Sequence, residues 1–371
     1  MRVAIDSGPT LSGHSVRGVG TYAKELINNL KKLQSKAYNL NVNAFDFSRN
    51  SRLIFTDYDV VHFTAFSIFE RSLPFRLPEN SVVTIHDMIP LIYPRNYPGG
   101  IRGNINWQIQ KKILKKAKAI IANSETTKKD IIRFTDIDPQ KVHVTHLSCR
   151  SFIKKISKLE LPKIRKKLNL PARFVLYVGD VNYNKNLVSL VKACQKIDMP
   201  LVICGKAAAE VDKQAIYGSI KGFRDHLRRV FNTYHPEIAH LKNLIEEFSK
   251  SKNVYRLGYV EDKMLNCIYN LATVYCQPSY YEGFGMPVAE AMSVGTPVVC
   301  AKTQALVEVA GKSAVYFDPH DVDDLVSKLS EVLCNSLLRS NMIKEGLKIS
   351  KKYSWGKTAL DTLKVYNLIQ K

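Results

Sequence analysis

The chain has 371 residues, enough for two domains of ordinary size, each with its own core. Hydrophobic residues make up 45% of it and charged residues 24%, which is ordinary for a soluble globular protein and excludes a largely disordered chain. The 55 Lys plus Arg against 33 Asp plus Glu give a formal net charge of +22, which predicts attraction to polyanions or to an anionic membrane surface without deciding between them.

No stretch approaches the roughly 20 apolar residues of a membrane span. The opening Met1-Arg2-Val3-Ala4-Ile5-Asp6 enters a strand directly instead of starting a signal peptide, so a cytoplasmic protein is expected. Seven cysteines, at 149, 194, 204, 267, 276, 300 and 334, form no C-x-x-C pair, and several lie inside apolar strand segments. Buried reduced thiols are therefore expected, and not a structural zinc or a disulfide set.

In chain order, β-rich runs at residues 3–5, 40–47, 60–63, 82–85, 119–122 and 142–145 alternate with helical stretches. That alternation predicts a parallel sheet with crossover helices. After the basic, Leu/Pro-punctuated segment 154–170 the pattern restarts, with strands at 174–178, 201–204, 254–257, 274–276, 298–300 and 315–317. The fold class expected is α/β, with two Rossmann-like, doubly wound parallel-sheet domains facing across a cleft. We place them at residues 1–155 and 156–352. A closing helix at 353–371 has Trp355, Leu360, Leu363, Val365, Tyr366 and Ile369 at amphipathic spacing.

Within the first half, Gly18, Gly20 and Ala23 satisfy G-x-G-x-x-G/A and invite a nicotinamide-dinucleotide reading. The first strand ends near Asp6, so about ten loop residues intervene where that fingerprint needs a tight turn. The other reading is a flexible loop at the start of a helix running to about Lys32, its amides facing the cleft. His86-Asp87 follows the strand at 82–85; a histidine there can bond a sugar hydroxyl or trade protons near neutral pH, or the pair can simply cap the next turn. His62 reads as a core histidine at a strand end. The segment 101–118 combines Ile105, Ile109, Ile113 and Leu114 with Lys111, Lys112, Lys115, Lys116 and Lys118. Such a basic amphipathic helix can lie on an anionic membrane surface, and a solvated helix face fits the same pattern.

In the second half, Lys185 and Lys206 lie on the loops after the first two strands, and fixed lysines can stabilise charge on a departing phosphate. Leu257-Gly258-Tyr259-Val260 ends another strand in that row. Residues 282–297 read EGFGMPVAEAMSVGTP after a short strand and a polar turn, which puts Glu282 at a strand's carboxyl end, where open α/β sheets bind ligands. Gly283 and Gly285 leave amides unobstructed, Pro287 suits a first helical turn, and such a helix start attracts anions. Seven residues separate Glu282 from Glu290, so both can line one crevice and suit a polyhydroxylated ligand carrying phosphate. A buried βα unit with Glu282 capping the helix and Glu290 on its wet face fits the spacing as well.

The run Pro278-Ser279, Glu282-Gly283-Phe284-Gly285-Met286-Pro287, Glu290-Ala291-Met292 and Gly295-Thr296-Pro297-Val298-Val299 strongly resembles the E-x7-E signature of retaining glycosyltransferases of family 4. The resemblance implies the two-Rossmann GT-B architecture, with a nucleotide diphosphate sugar held mainly by the second domain. It implies that Glu290 takes the ribose hydroxyls, that Glu282 with Gly283, Phe284 and Gly285 takes the sugar, and that Lys185 takes the diphosphate. Asp180 stands where the family often has an arginine, and Lys206 beside Gly205 is the candidate for the second cation. Gly18 and Gly20 resemble the loop that approaches the donor's diphosphate, and Tyr259 and Val260 the turn against the nucleobase. Ile85-His86-Asp87 followed by Pro90-Leu91 resembles mannosyltransferase-like members, in which that histidine faces the transferring sugar and Asp87 adjoins it.

The catalytic set implied is His86, Glu282 and Lys185, with the last helix crossing back to the first domain near Tyr353-Ser354-Trp355. No Asp-x-Asp triplet lies in a suitable loop, so transfer without a metal and without any other cofactor is expected. Mannose from GDP-mannose is the donor the resemblance favours. The acceptor would be a saccharide or a lipid-linked saccharide, with the enzyme peripheral on the inner face of a membrane through helix 101–118. Basic residues are spread over both halves with no stacking aromatic motif, so nucleic acid is not an expected partner. The rival readings are a nicotinamide-dependent oxidoreductase using residues 18–23 and a sugar-nucleotide epimerase or phosphorylase of the same architecture.

Overall fold

Short runs of Val, Ile, Leu, Ala and Cys form two six-stranded sheets in a computed structural model that describes residues 1–11, 18–34, 39–47, 55–157, 159–217 and 236–370. The chain divides into two units. Unit 1 holds Met1–Pro94, Pro98–Ser151 and Tyr353–Lys371; unit 2 holds Arg95–Tyr97 and Phe152–Lys352.

In unit 1 the strands are β1 (Arg2–Asp6), β2 (Asn41–Phe45), β3 (Val60–Phe63), β4 (Ser81–Ile85), β5 (Ala119–Ala122) and β6 (Val142–Val144). They pair in parallel in the order β2-β1-β3-β4-β5-β6. Every residue of β3, β4 and β5 is buried, as expected where helices cover both faces of a parallel sheet. The core gathers Val61, Phe63, Val83, Ile85, Trp107, Ile113, Leu114 and Ile120. The C-terminal helix Trp355–Ile369 starts at Ser354, whose side chain accepts from the Lys357 amide. It packs on the helix Gly18–Gln34, and the Trp355 indole donates to the Cys149 carbonyl at 2.8 Å.

Unit 2 contains β7 (Val175–Val178), β8 (Leu201–Cys204), β9 (Val254–Gly258), β10 (Val274–Gln277), β11 (Val298–Ala301) and β12 (Ala314–Phe317). Their order is β12-β11-β10-β7-β8-β9, again parallel throughout. Taken from its own first strand this is the 3-2-1-4-5-6 arrangement of dinucleotide-binding sheets read from the far edge. The chain runs outward from β7 through β8 to β9, then returns to the other side of β7 to place β10. The loops after β7 and β10 therefore flank the topological switch point at the carboxyl edge, the place where open α/β sheets bind ligands.

Two expectations change at this level. Gly18 and Gly20 do not form a loop ahead of a helix; they are the first turn of the helix Gly18–Gln34, and the residues before them, 12–17, lie outside the described residues. The basic helix spans Gly100–Leu114 and not 101–118, because residues 115–118 turn to bring the chain into β5. Five of the seven cysteines are buried thiols, with Cys149 half-buried and Cys334 exposed. Among the described residues no helix is long and apolar enough to cross a membrane.

Candidate active site

The switch point between the paired strands β7 and β10 is where unit 2 concentrates its polar chemistry. After β7 the chain makes a short 3-10 turn, Tyr183–Lys185, closed by Asn186 in the left-handed conformation. The Asn186 amide donates to the Pro278 and Pro319 carbonyls at 3.0 and 2.9 Å, so this turn is tied to the loops after β10 and β12. On the other side, β10 ends at Gln277 and the loop 278–285 leads into the helix Met286–Val294. Tyr280 donates its amide to the Asn184 carbonyl at 2.8 Å, which locks the two loops side by side.

Lys185 and Glu282, 97 positions apart, meet across that seam. The Lys185 ammonium donates to both oxygens of the Glu282 carboxylate at 2.9 Å. Glu282 is only 7% exposed and also accepts from the Gln277 amide at 2.8 Å and from the Ser279 hydroxyl at 2.6 Å. This enclosed carboxyl group is met by an ammonium and two neutral donors, the pairing under which such a group is tolerated in the interior. Its partners extend inward, since the Tyr275 hydroxyl donates to the Gln277 carbonyl oxygen. Tyr97 supports the lysine turn from its hydroxyl, which donates to the Asn184 side-chain oxygen at 2.7 Å and accepts from the Asn184 amide at 3.0 Å.

Glu290 is placed differently from the expectation that it lines an open crevice or a wet helix face. It has 0% exposure, and its carboxylate accepts from the buried Tyr269 hydroxyl at 2.8 Å. The reason is packing. The helix Met286–Val294 has neighbours on several sides, including the helices Asp262–Leu271 and Ser336–Ser350, and six of its nine residues are buried. The two glutamates are nevertheless linked through one aromatic pair. Tyr269 and Tyr275 lie 5.8 Å apart, and the Tyr275 hydroxyl is pushed far above its usual range by burial, then by Tyr177 and by both glutamates.

The remaining residues expected at this edge are distributed as follows. Gly283 and Gly285 are buried, and Phe284, at 3% exposure, has its ring in the interior. Gly285 takes φ +96° at the helix start, where a Cβ would come within 2.5 Å of a Leu306 methyl, and no side chain caps the helix Met286–Val294 there. Gly205 follows β8 so close to β7 that a Cβ would sit 2.0 Å from the Gly179 carbonyl oxygen. Lys206 is exposed as the first residue of the helix Lys206–Tyr217 and makes no ion pair among the described residues. After β9, Tyr259 is 59% exposed and Val260 half-buried.

Sequence reasoning missed several groups here. Gln277, Ser279, Tyr275 and Tyr269 surround the glutamates, and the one available signal was a glutamine closing an otherwise apolar strand. It also missed Glu237 and His240, early in the helix Pro236–Lys250. Burial, then the neighbouring Asp180, raises the Glu237 carboxyl to about 7, and His240 Nε2 lies 2.9 Å from the Val181 carbonyl. Nothing in the spacing connects residue 237 to residue 180.

The carboxyl edge of unit 1 has another character. His86, half-buried after β4, has Nε2 at 3.0 Å from the Thr64 carbonyl. A carbonyl only accepts, so Nε2 carries the proton and Nδ1 of the neutral ring is an acceptor. Burial lowers this histidine to about 4, and the Tyr22 ring packs edge-on at 4.9 Å. Asp87 accepts the Ile89 amide at 3.1 Å. His62 is wholly buried between the Tyr366 hydroxyl at 2.6 Å and the Thr84 hydroxyl at 2.7 Å, and burial, then His86, lowers it to about 3. Gly18 is exposed with nothing near its missing Cβ, and Gly20 is buried.

Two parallel six-stranded sheets of this order give the chain the GT-B fold, shared with solved glycosyltransferases. The chain belongs to the family described as glycosyl transferases group 1, whose model matches residues 161–349, and residues 34–147 match glycosyltransferase family 4. It is 29% identical over 304 residues to the O-antigen chain mannosyltransferase B of Escherichia coli, covering 80% of this chain and 72% of that one. It is 26% identical over 287 residues to the serotype-specific mannosyltransferase WbdA of Escherichia coli, covering 76% of this chain but only 33% of that much longer protein. Among solved structures, sucrose-phosphate synthase from Thermosynechococcus elongatus superposes with a TM-score of 0.73 at 17% identity, covering 99% of this chain and 98% of that one. The nicotinamide-dependent and epimerase readings are not favoured by these matches, and Gly18 and Gly20 sit within a helix instead of in a tight turn off β1.

Proposed function

We propose that the enzyme moves a hexosyl unit, mannose from GDP-mannose, onto a saccharide or lipid-linked saccharide, with retention at the anomeric carbon and without a metal ion. The observation that carries the reading is the Lys185–Glu282 pair at the switch point of unit 2. When the bond between the anomeric carbon and the diphosphate oxygen breaks, its electron pair leaves with the nucleoside diphosphate. Lys185 and the uncapped start of the helix Met286–Val294 supply positive charge where that negative charge grows. Glu282 is left to accept from sugar hydroxyls, its geometry kept by Gln277 and Ser279. Lys206 is the second cation and Tyr259 the surface for the base. His86, neutral at pH 7 with Nδ1 an acceptor, is suited to a hydroxyl of the transferring sugar. Mannose is favoured because the relatives named above are mannosyltransferases. Glu290 enters as a positioning group through Tyr269. The protein would work in the cytoplasm.

The test is a panel of nucleotide sugars scored for release of nucleoside diphosphate, with and without a chelator. GDP-mannose should be turned over, unaffected by chelation. Glu282→Ala and Lys185→Ala should each lower turnover by a factor on the order of a hundred to a thousand, the scale for losing one preorganised charge-stabilising group. Full activity in both variants, or turnover abolished by the chelator, would count against this reading.

A further inference from the structure

The Lys185–Glu282 pair is built from two chain segments, and a single residue is bonded into both of them. A lysine side chain is long and rotatable, so its ammonium keeps one place only where the backbone beneath it is fixed. In the turn Tyr183–Lys185 the Lys185 amide donates to the Asn182 carbonyl at 2.9 Å and the Asn186 amide to the Tyr183 carbonyl at 3.1 Å. The amide ahead of these two, that of Asn184, finds its acceptor outside the turn, on the Tyr97 hydroxyl at 3.0 Å. A short helical turn leaves its leading amides without an internal partner, and this hydroxyl supplies one.

Asn184 is 3% exposed, and every polar group it has is engaged. Its carbonyl accepts from the Tyr280 amide at 2.8 Å, its side-chain nitrogen donates to the Tyr281 carbonyl at 3.1 Å, and its side-chain oxygen accepts from the Tyr97 hydroxyl at 2.7 Å. The partners set the orientation of that amide: a carbonyl only accepts, so the nitrogen faces Tyr281 and the oxygen is left to the hydroxyl. Arg95–Tyr97 belongs to unit 2, so the whole set lies within one compact unit. Tyr280 and Tyr281 come just ahead of Glu282, and Lys185 comes just after Asn184. Asn186 ties the same turn to Pro278 and Pro319, neither of them next to Glu282 in the chain. Asn184 alone is bonded to the immediate neighbours of both members of the pair.

We propose that Asn184, anchored by the Tyr97 hydroxyl, is the positioning residue that keeps the Lys185 ammonium and the Glu282 side chain where charge grows on the departing diphosphate. The inference rests on the transferase reading of that pair. Asn184 acts through the backbone on either side of it and does not need to touch the donor. A charged group already in place requires no reorganisation during the step, which is why a residue that only fixes its position bears on rate.

The test measures kcat and KM for release of nucleoside diphosphate, with the nucleotide sugar turned over in the panel above, in Tyr97→Phe and Asn184→Ala, each alone and combined with Lys185→Ala. Circular dichroism confirms folding, and Tyr97→Phe, which removes one oxygen, carries the test if Asn184→Ala does not fold. Each variant alone should lower kcat about tenfold with KM within about threefold, the mark of misplaced charge and not of lost binding. In the Lys185→Ala background neither should lower kcat further, because the group they position is gone. An unaltered kcat in Tyr97→Phe, or the same fall with and without Lys185, would overturn the proposal and leave Asn184 a residue of the fold alone. Full activity in Lys185→Ala would overturn the transferase reading of the pair and the proposal with it, an outcome seen without either new variant.

Discussion

Both units put polar side chains at the carboxyl edge of a six-stranded parallel sheet, yet they satisfy them in opposite ways. In unit 1 the histidines and hydroxyls form a neutral network: His62 is held by Tyr366 and Thr84, Thr84 is also bonded to Tyr22 at 2.9 Å, and both histidines are lowered by burial, while Asp6 at the end of β1 accepts from the Gly8 and Phe47 backbone amides. In unit 2 an ion pair stands at the edge, Lys185 on Glu282, with the Glu290 side chain bonded to Tyr269 in the interior. The sheets alone do not account for the difference, since parallel α/β edges of this kind host many chemistries. It lies in which residues occupy the loops after each strand. A neutral network orders a core without committing charge, whereas an enclosed ammonium and carboxylate keep charge ready for a ligand that brings its own.

The largest effect that could break this contrast is pH. His62 and His86 have folded values of about 3 and about 4 against an unfolded value near 6.5. Folded values below the unfolded one mean that the unfolded chain binds protons first. The stability these neutral rings provide is therefore present above about pH 6.5 and is lost as pH falls toward their folded values. Between pH 7 and pH 5 His62 alone should cost about 2 kcal/mol, with a smaller share from half-buried His86. Urea unfolding at the two pH values should show this loss, and His62→Gln should remove roughly half of it. An unchanged slope in His62→Gln would mean that the unit 1 network is not a neutral one.

A smaller effect is expected at Tyr269. Tyr269→Phe strips a donor from the fully buried Glu290 side chain, and leaving a buried acceptor short of a bond should cost about 2 kcal/mol in urea unfolding. No change would show that the Glu290 side chain is satisfied without this tyrosine. The smallest effect belongs to Gly18→Ala, where open space receives the new methyl and the change in stability should stay within about 0.5 kcal/mol. If the donor's diphosphate approaches this helix start, KM for the donor should rise several-fold all the same. An unaltered KM would confine donor recognition to the charged edge of unit 2.

Much of this was readable before any coordinates. Alternating β-rich and helical runs located the twelve strands because buried parallel strands are near-continuous apolar runs and their crossovers have helical length. The stretch at 282–297 announced a ligand edge through a carboxylate, two glycines and a proline at fixed offsets, a local pattern that chain order preserves. What the sequence left open was whatever depends on distance along the chain. That Lys185 grips Glu282 across 97 positions follows from β10 returning beside β7, a matter of strand order. That Glu290 is enclosed, and that Ile101, Ile105 and Ile109 point away from the core while Ile113 and Leu114 enter it, depends on which neighbours pack against each helix. Periodicity states that a helix has faces; only tertiary packing decides which face is covered, because burial is a property of the partner surface as much as of the residue.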